Sequence, residues 1–525
     1  MFKKTEISQF YDKRIWLKRI KKYWLHFLFV TALIFLIFFI YRDYGIAWDE
    51  PYYANYGRDF VNSLFNLLNL KTNLTVVKID TKEMHLKGHG VIFDILITLS
   101  TLFFKNFNFE SFHLIKALFA LPTFIFIGLV VNNFFGPEVS LGSMLLLALF
   151  PKFFGDMFNN SIDTMTTLST ALIIAFFVYY QKSNKDLIKK LGLALVTAVG
   201  ISQRIVLGYL FILSLLTILI IDLSQKKSLK KIFSEILLIF LATILFWHLS
   251  HPYLLKHPIK GIYDQLMAAK NYAWTATVLF EGRRIWAYDL PWYYLPKLLL
   301  ITSPLMTLFL FFLGVYSLIK HFFQEKNDPV NKWLYFYFLM AFFIPVFLVV
   351  WLRPTLYDSW RQMLFLTVPI IIIASFGLAA ILNIKIKLVK MIFLILIVST
   401  MIYTGWEMSL YHPYEYIYFN QLVGGVKNAY KDYETEYNCL SYKEAVGWLA
   451  KHTKKNQVIY RIFVVGEPFT ASYYFPKNFY LTDDLNQADY LISLTRWDLH
   501  LAFPGEPIHL VTHLGVPMTY IKKLR

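Results

Sequence analysis

One cysteine, Cys439, stands in a chain of 525 residues, so no disulfide forms within it and no cysteine-based metal site can be built. Charge is scarce: 16% of residues are Asp, Glu, Lys or Arg, where a soluble globular chain carries about a quarter. No internal repeat and no low-complexity linker is visible, which sets aside solenoids and tethered modules. The histidines show no metal spacing. His248, His251 and His257 sit beside prolines in "WHLSHPYLLKHP", a stretch that reads as a loop turning out of an apolar run. A basic N-terminus precedes the first apolar run, as in a secretory signal. No small-residue cleavage site follows, so the run reads as an uncleaved first helix.

What the chain has in abundance is apolar surface: 57% hydrophobic and 19% aromatic residues. Runs long enough to cross a bilayer recur along most of it. The expectation is an all-α polytopic membrane protein with about eleven to thirteen transmembrane helices and a small C-terminal α/β domain. Residues 1–405 would form the multi-span part, with 42–90 its first outer loop, and 406–525 the extracytoplasmic domain. In the tail, "SYKEAVGWLAKH" reads as an amphipathic helix, and "QVIYRIFVV" and "ADYLISLTRW" read as strands.

A net charge of +18 would suit nucleic acid, but the basic residues lie between apolar runs. Lys3, Lys4, Lys13, Arg14, Lys18, Arg19, Lys21 and Lys22 precede the first span, near 24–41, which marks the N-terminus as cytoplasmic. Basic loops at 182–190, 226–231, 321–332 and 385–390 belong on the same side. The residues that follow Tyr41, the loop 251–295 and the tail then lie outside. The stretch 191–222 must go out and return, as two short helices meeting near Arg204. Three apolar segments, 91–104, 112–133 and 139–150, would leave Asp163 on the wrong side if each crossed, so one is re-entrant or merged with a neighbour.

Charges beside the hydrocarbon layer tend to mark function. On the outer side these are Asp49 and Glu50 in "WDEPYY", Lys87 and His89 in "LKGHG", and Asp156 and Asp163 in "PKFFGDMFNNSIDT". Arg204 in "GISQRIVLG", Arg283 and Arg284 in "FEGRRIWAYDLPWYYLP", and Asp358 and Arg361 in "RPTLYDSWRQMLF" complete the set. Cations suit a phosphate and a carboxylate suits proton transfer. The bland alternatives are an interfacial anchor with solvated acids for Asp49 and Glu50, a snorkelling side chain for Arg204, and a polar loop residue for His89.

Five ordered stretches carry a resemblance over roughly residues 23 to 445: "WDEPYY", "FPKFFGDMFNNSIDT", "HPYLLKHPIKGI" leading to "WTATVLFEG" and "YDLPWYYLPKLLLITSP", "RPTLYDSWRQMLF", and "HPYEYIYFNQLVGG". Together they resemble the GT-C glycosyltransferases of the protein O-mannosyltransferase type, in the bacterial branch that includes the lipid A aminoarabinose transferases. The resemblance implies a polyprenyl-phosphate-sugar donor and inverting transfer at the outer face of the cytoplasmic membrane. The acceptor would be a glycolipid, a polysaccharide or a protein. Asp49 matches the first-loop acid and expected base, Glu50 its partner, and Asp163 the second-loop acid. Arg361, Lys87, His89 and Arg204 would bind the donor phosphate, and Tyr52, Tyr53, Asn159, Asn160, Tyr357 and Asp358 the substrates. The branch often carries Lys and Pro where this chain has Ile162 and Met165. No metal ligand is assigned; no cofactor is required, although paired carboxylates are able to hold a divalent metal. No nucleic acid is expected. The rival readings are a transporter or flippase of a lipid-linked sugar, and a subunit that kept the fold without the chemistry.

Overall fold

A backbone in hydrocarbon must satisfy its own hydrogen bonds, so the long apolar runs fold as helices. The computed structural model describes residues 13–69, 74, 90, 92–102, 108–184, 186–270, 274–453 and 458–525. Among them nine helices are long and apolar enough to cross a membrane: Lys22–Ile40, Phe109–Phe135, Ser161–Gln181, Ile205–Ser224, Leu229–Ser250, Leu305–Gln324, Pro329–Leu352, Arg361–Leu382 and Lys387–Tyr411. Pro137–Ala148 and Pro151–Asn159, bent by 66° at their junction, together make a tenth.

Leu187–Gln203 has only 17 residues, yet it runs beside Leu229–Ser250 from end to end. Lys190 Nζ lies 3.7 Å from Glu235 at one end, and Ser202 Oγ donates to the Ser250 carbonyl at 3.1 Å at the other. By length and composition the described residues hold nine qualifying helices, or ten with the bent pair, fewer than expected; this shorter helix would be an eleventh. Its last residue, Gln203, is followed by extended Arg204 (φ −148°), where the outgoing helix breaks before the returning one.

The crossing pattern of 91–150 follows from lengths. Ile92–Thr101, at 10 residues, reaches about 15 Å and does not span. Phe109–Phe135 crosses once and the bent pair returns, so Asp163 starts its helix at the same end as Asp49. The basic loops gather at the opposite end. There Lys182 Nζ donates to the Asn133 carbonyl at 3.2 Å and sits 3.6 Å over the Phe134 ring.

At the site end, the residues after the first span form a helix, Glu50–Leu67, opened by Pro51. Two short strands, β1 (Thr277–Phe280) and β2 (Arg283–Trp286), make a hairpin turned by Glu281 and Gly282, both at positive φ. The tail carries β3 (Tyr460–Val464), β4 (Phe479–Leu481), β5 (Tyr490–Leu494), β6 (Glu506–His513) and β7 (Val516–Lys523). They pair in the order β4-β3-β5-β7-β6, parallel across β4-β3-β5 and antiparallel for the rest. The helix Tyr442–His452 buries Tyr442, Ala445, Val446 and Leu449, a stripe at helical spacing. Between span and sheet, residues 412–440 thread into the bundle: Asn420 Nδ2 donates to the Leu300 and Ser303 carbonyls. Trp48 N donates to the Asn438 carbonyl at 2.9 Å. The tail domain is thereby fastened to the residues that follow the first span.

Candidate active site

An Asp directly before a helix ordinarily caps it through its side chain. Asp49 precedes Glu50–Leu67 without making that bond. Its carboxylate instead meets the Arg361 guanidinium at 2.7 Å, and Arg361 also reaches Asp358 at 2.9 Å. Asp358 in turn binds Arg496 of the tail domain. Four residues from three distant parts of the chain thus form one line of alternating charge, Asp49–Arg361–Asp358–Arg496. Asp358 and Ser359 both sit at left-handed φ, 55° and 62°, a conformation that strains non-glycine residues and collects at functional sites. Here it turns the Asp358 carboxylate so that both arginines can share it.

Glu50 has a different setting. Its side chain is buried, ion-paired with Lys116 and 2.9 Å from His113 Nε2. Its Oε2 accepts from Ala47 N at 3.0 Å. Burial pushes this carboxyl up, but the His113 and Lys116 charges outweigh burial and hold it below the usual carboxylate range. Glu50 therefore pins the helix Glu50–Leu67 to Phe109–Ala120.

Asp163 is buried and pairs with Arg204 at 2.5 Å. Asn160 Nδ2 donates to its Oδ2 at 2.9 Å, and the Asp163 backbone N–H donates to Asn160 Oδ1 at 3.2 Å. The second-loop acid thus orients Arg204, the residue at the helix break. Around this pair, Asp156 Oδ2, both amide atoms of Asn159, Arg204 Nε and Arg361 Nε are buried and make no hydrogen bond within the described residues. Polar atoms left without partners are expensive to bury, and here they concentrate where substrates would meet the charged line.

The aromatic residues sort similarly. Tyr357 stacks on Trp274 at 4.5 Å, and the Arg361 guanidinium lies 5.3 Å from the Tyr357 ring centre. Tyr53 lies within the field of Asp49, Arg361, Tyr357 and Asp163, and burial followed by Asp49 pushes its hydroxyl well above the ordinary range. Tyr52 turns away and donates to Glu467 of the tail at 2.8 Å, so it acts as a strut. Lys87 and His89 lie outside the described residues. His251 is fully buried, and no group of three His, Cys, Asp or Glu among the described residues could hold a metal ion.

Sequence reasoning missed Arg496, which lies in a tail with no motif. It missed His113 and Lys116, whose charges inside an apolar run were the available signal. It also passed over Lys152, a buried lysine that donates to the Tyr437 hydroxyl at 2.9 Å.

The helical bundle with a mixed tail sheet is the fold that membrane glycosyltransferases of known structure share. Residues 88–251, under a third of the chain, match the family described as dolichyl-phosphate-mannose-protein mannosyltransferase. The matched segment holds Asp163 and Arg204 but neither Asp49 nor Arg361. The fold is similar to that of ArnT from Cupriavidus metallidurans, with TM-score 0.50 and 10% identity over 94% of this chain and 97% of that one. It is also similar to the Archaeoglobus fulgidus oligosaccharyltransferase, with TM-score 0.53 and 11% identity over 90% of this chain and 70% of that one. A curated relative, the solute carrier family 2 facilitated glucose transporter member 3 of Canis lupus familiaris, is 31% identical over 101 residues, and the match spans 19% of each chain.

Proposed function

We propose that this protein moves a sugar from a polyprenyl-phosphate-linked donor to a hydroxyl of an acceptor at the outer face of the cytoplasmic membrane, with inversion and with Asp49 as base. One observation carries the choice of base. Of the four acids gathered here, Asp49 has 30% of its side chain exposed, against 1% for Glu50, 3% for Asp163 and 5% for Asp358. Of the four, only Asp49 is open enough to meet an incoming hydroxyl.

The chemistry follows from the pairings. The acceptor hydroxyl gives its proton to Asp49 as its oxygen bonds to the sugar C1, and the bond from C1 to the phosphate oxygen breaks on the opposite side. Polyprenyl phosphate leaves with the electron pair, and Arg361 and Arg204 stabilise the charge that develops. The Arg361–Asp49 pair weakens Asp49 as a base until the donor arrives. A donor phosphate competes for the same guanidinium, so binding the donor releases the base. A structure of a different protein, ArnT from Cupriavidus metallidurans, is described as bound to undecaprenyl phosphate, and a lipid phosphate of that kind suits two arginines at a membrane boundary.

A transporter would need its charges strung along a path through the bilayer, whereas these pairs gather at one end. The two functions separate in one assay. Purified protein is incubated with radiolabelled polyprenyl-phosphate sugars and membrane extract, and in parallel reconstituted into vesicles. Label appearing in glycolipid, polysaccharide or protein supports the transferase; uptake into vesicles with no covalent transfer overturns it.

A further inference from the structure

Arg496, the last member of the charged line, also lines a cavity of about 560 Å3. The other walls are the β1–β2 hairpin, the stretch 430–436 and residues 495–500. The proposed transfer step uses none of it. The volume falls inside the span of small-ligand sites, roughly 300–1,000 Å3.

Its lining is unusual in what it leaves unpaired. Both carboxylate oxygens of Glu434, Oε1 of Glu436, Nε of Arg496 and Nδ1 of His500 are buried atoms that make no hydrogen bond within the described residues. The Glu434 and Arg496 side chains are each 6% exposed, and Arg496 Nε stands 3.8 Å from Glu434 Oε1, beyond hydrogen-bonding length. Such an atom is costly to bury when nothing meets it. Burial pushes the Glu434 carboxyl up to about 7 despite the pull of Arg496. Beside these groups, Trp497 and Asp498 adopt left-handed φ of 54° and 56°, again strained for non-glycine residues. The Trp497 indole N–H donates to the Thr277 carbonyl at 2.8 Å, which fixes its ring in the cavity wall.

The mixture of groups selects the ligand. Arg284, Lys431 and Arg496 stand beside Glu434, Glu436 and Asp498, so an ion of either sign meets like charge as well as opposite charge, and an acyl chain would leave every polar atom unmet. A hydroxyl both donates and accepts, and a sugar ring adds an apolar face for an indole. We propose that this cavity binds sugar units of the acceptor glycan, beside Arg496 at the far end of the charged line that begins at Asp49. The assignment rests on the proposed transfer for its purpose, but binding can be tested without it.

The test titrates the full-length protein in detergent with neutral di-, tri- and tetrasaccharides, read by calorimetry and tryptophan fluorescence, with a serine-containing peptide as comparison. At least one oligosaccharide should bind, and Glu434→Gln and His500→Ala should each weaken it roughly tenfold, as the loss of one buried hydrogen bond implies. Undecaprenyl phosphate affinity should stay unchanged in both variants. Absence of binding by every oligosaccharide, wild-type affinity in both variants, or binding of the peptide alone would overturn the proposal. Lipid-free saccharide and intact glycolipid, run side by side, distinguish a polysaccharide acceptor from a glycolipid one. Protein that binds saccharide but transfers no sugar contradicts the transferase and leaves the cavity standing. Protein that transfers sugar but binds no saccharide contradicts only the cavity.

Discussion

Asp49 and Glu50 are neighbours of the same chemistry with opposite surroundings. Their side chains diverge at the start of one helix, the first toward Arg361 and open space, the second into a closed nest with His113 and Lys116. The sequence made the pair conspicuous, as acids directly after an apolar run. Their unequal roles depend on partners in other spans. Those of Glu50 lie 63 and 66 positions along the chain, and that of Asp49 lies farther still. No local pattern reveals such contacts, because they arise only once the bundle has packed. Replacing Glu50 by Gln leaves the Lys116 ammonium buried without its counter-charge, and should lower stability by about 3–5 kcal/mol, read by thermal unfolding in detergent. The sign of the acid response also follows. Glu50 is held below its ordinary value near 4.5, so the unfolded chain binds more protons between the two values. Its contribution is complete above about 4.5 and fades as pH falls through the folded value. Wild type should therefore lose more stability on acidification through this window than the Gln variant; equal losses would contradict the assignment.

At the level of elements, the helix break at Arg204 was legible because basic loops bracket a stretch too long for one crossing and short for two. The bent pair 137–159 was less so. One of three apolar segments had to be re-entrant or merged, but nothing local showed that the chain would resume after Pro151 at 66° and deliver Asp156, Asn159 and Asp163 to one wall. The paired arginine is what the break presents. Arg204→Met should weaken undecaprenyl phosphate binding roughly tenfold or more, since a charge-assisted contact is lost, while Arg204→Lys should retain part of it. Equilibrium binding of labelled lipid phosphate checks this; wild-type affinity in both variants would rule out phosphate contact by Arg204.

Across the whole molecule, the tail is a component of the site. Its helix and two of its five strands were readable from periodicity, but Arg496 was not, because it lies where the chain leaves β5 and nothing in "LTRWDLH" signals a charge destined for the membrane boundary. Arg496→Leu leaves Asp358 with Arg361 alone and loosens the line that positions Asp49. Transfer should fall about tenfold or more, with lipid phosphate affinity changed less. Transfer equal to wild type would show the tail to be dispensable for positioning. The central claim, that Asp49 is the base, is tested most directly by sugar transfer from a radiolabelled polyprenyl-phosphate donor with Asp49→Asn. The protein should stay folded and bind donor, with transfer reduced by about a thousandfold or more, within the range expected for loss of a general base. Transfer near the wild-type rate would contradict the assignment of Asp49 as base.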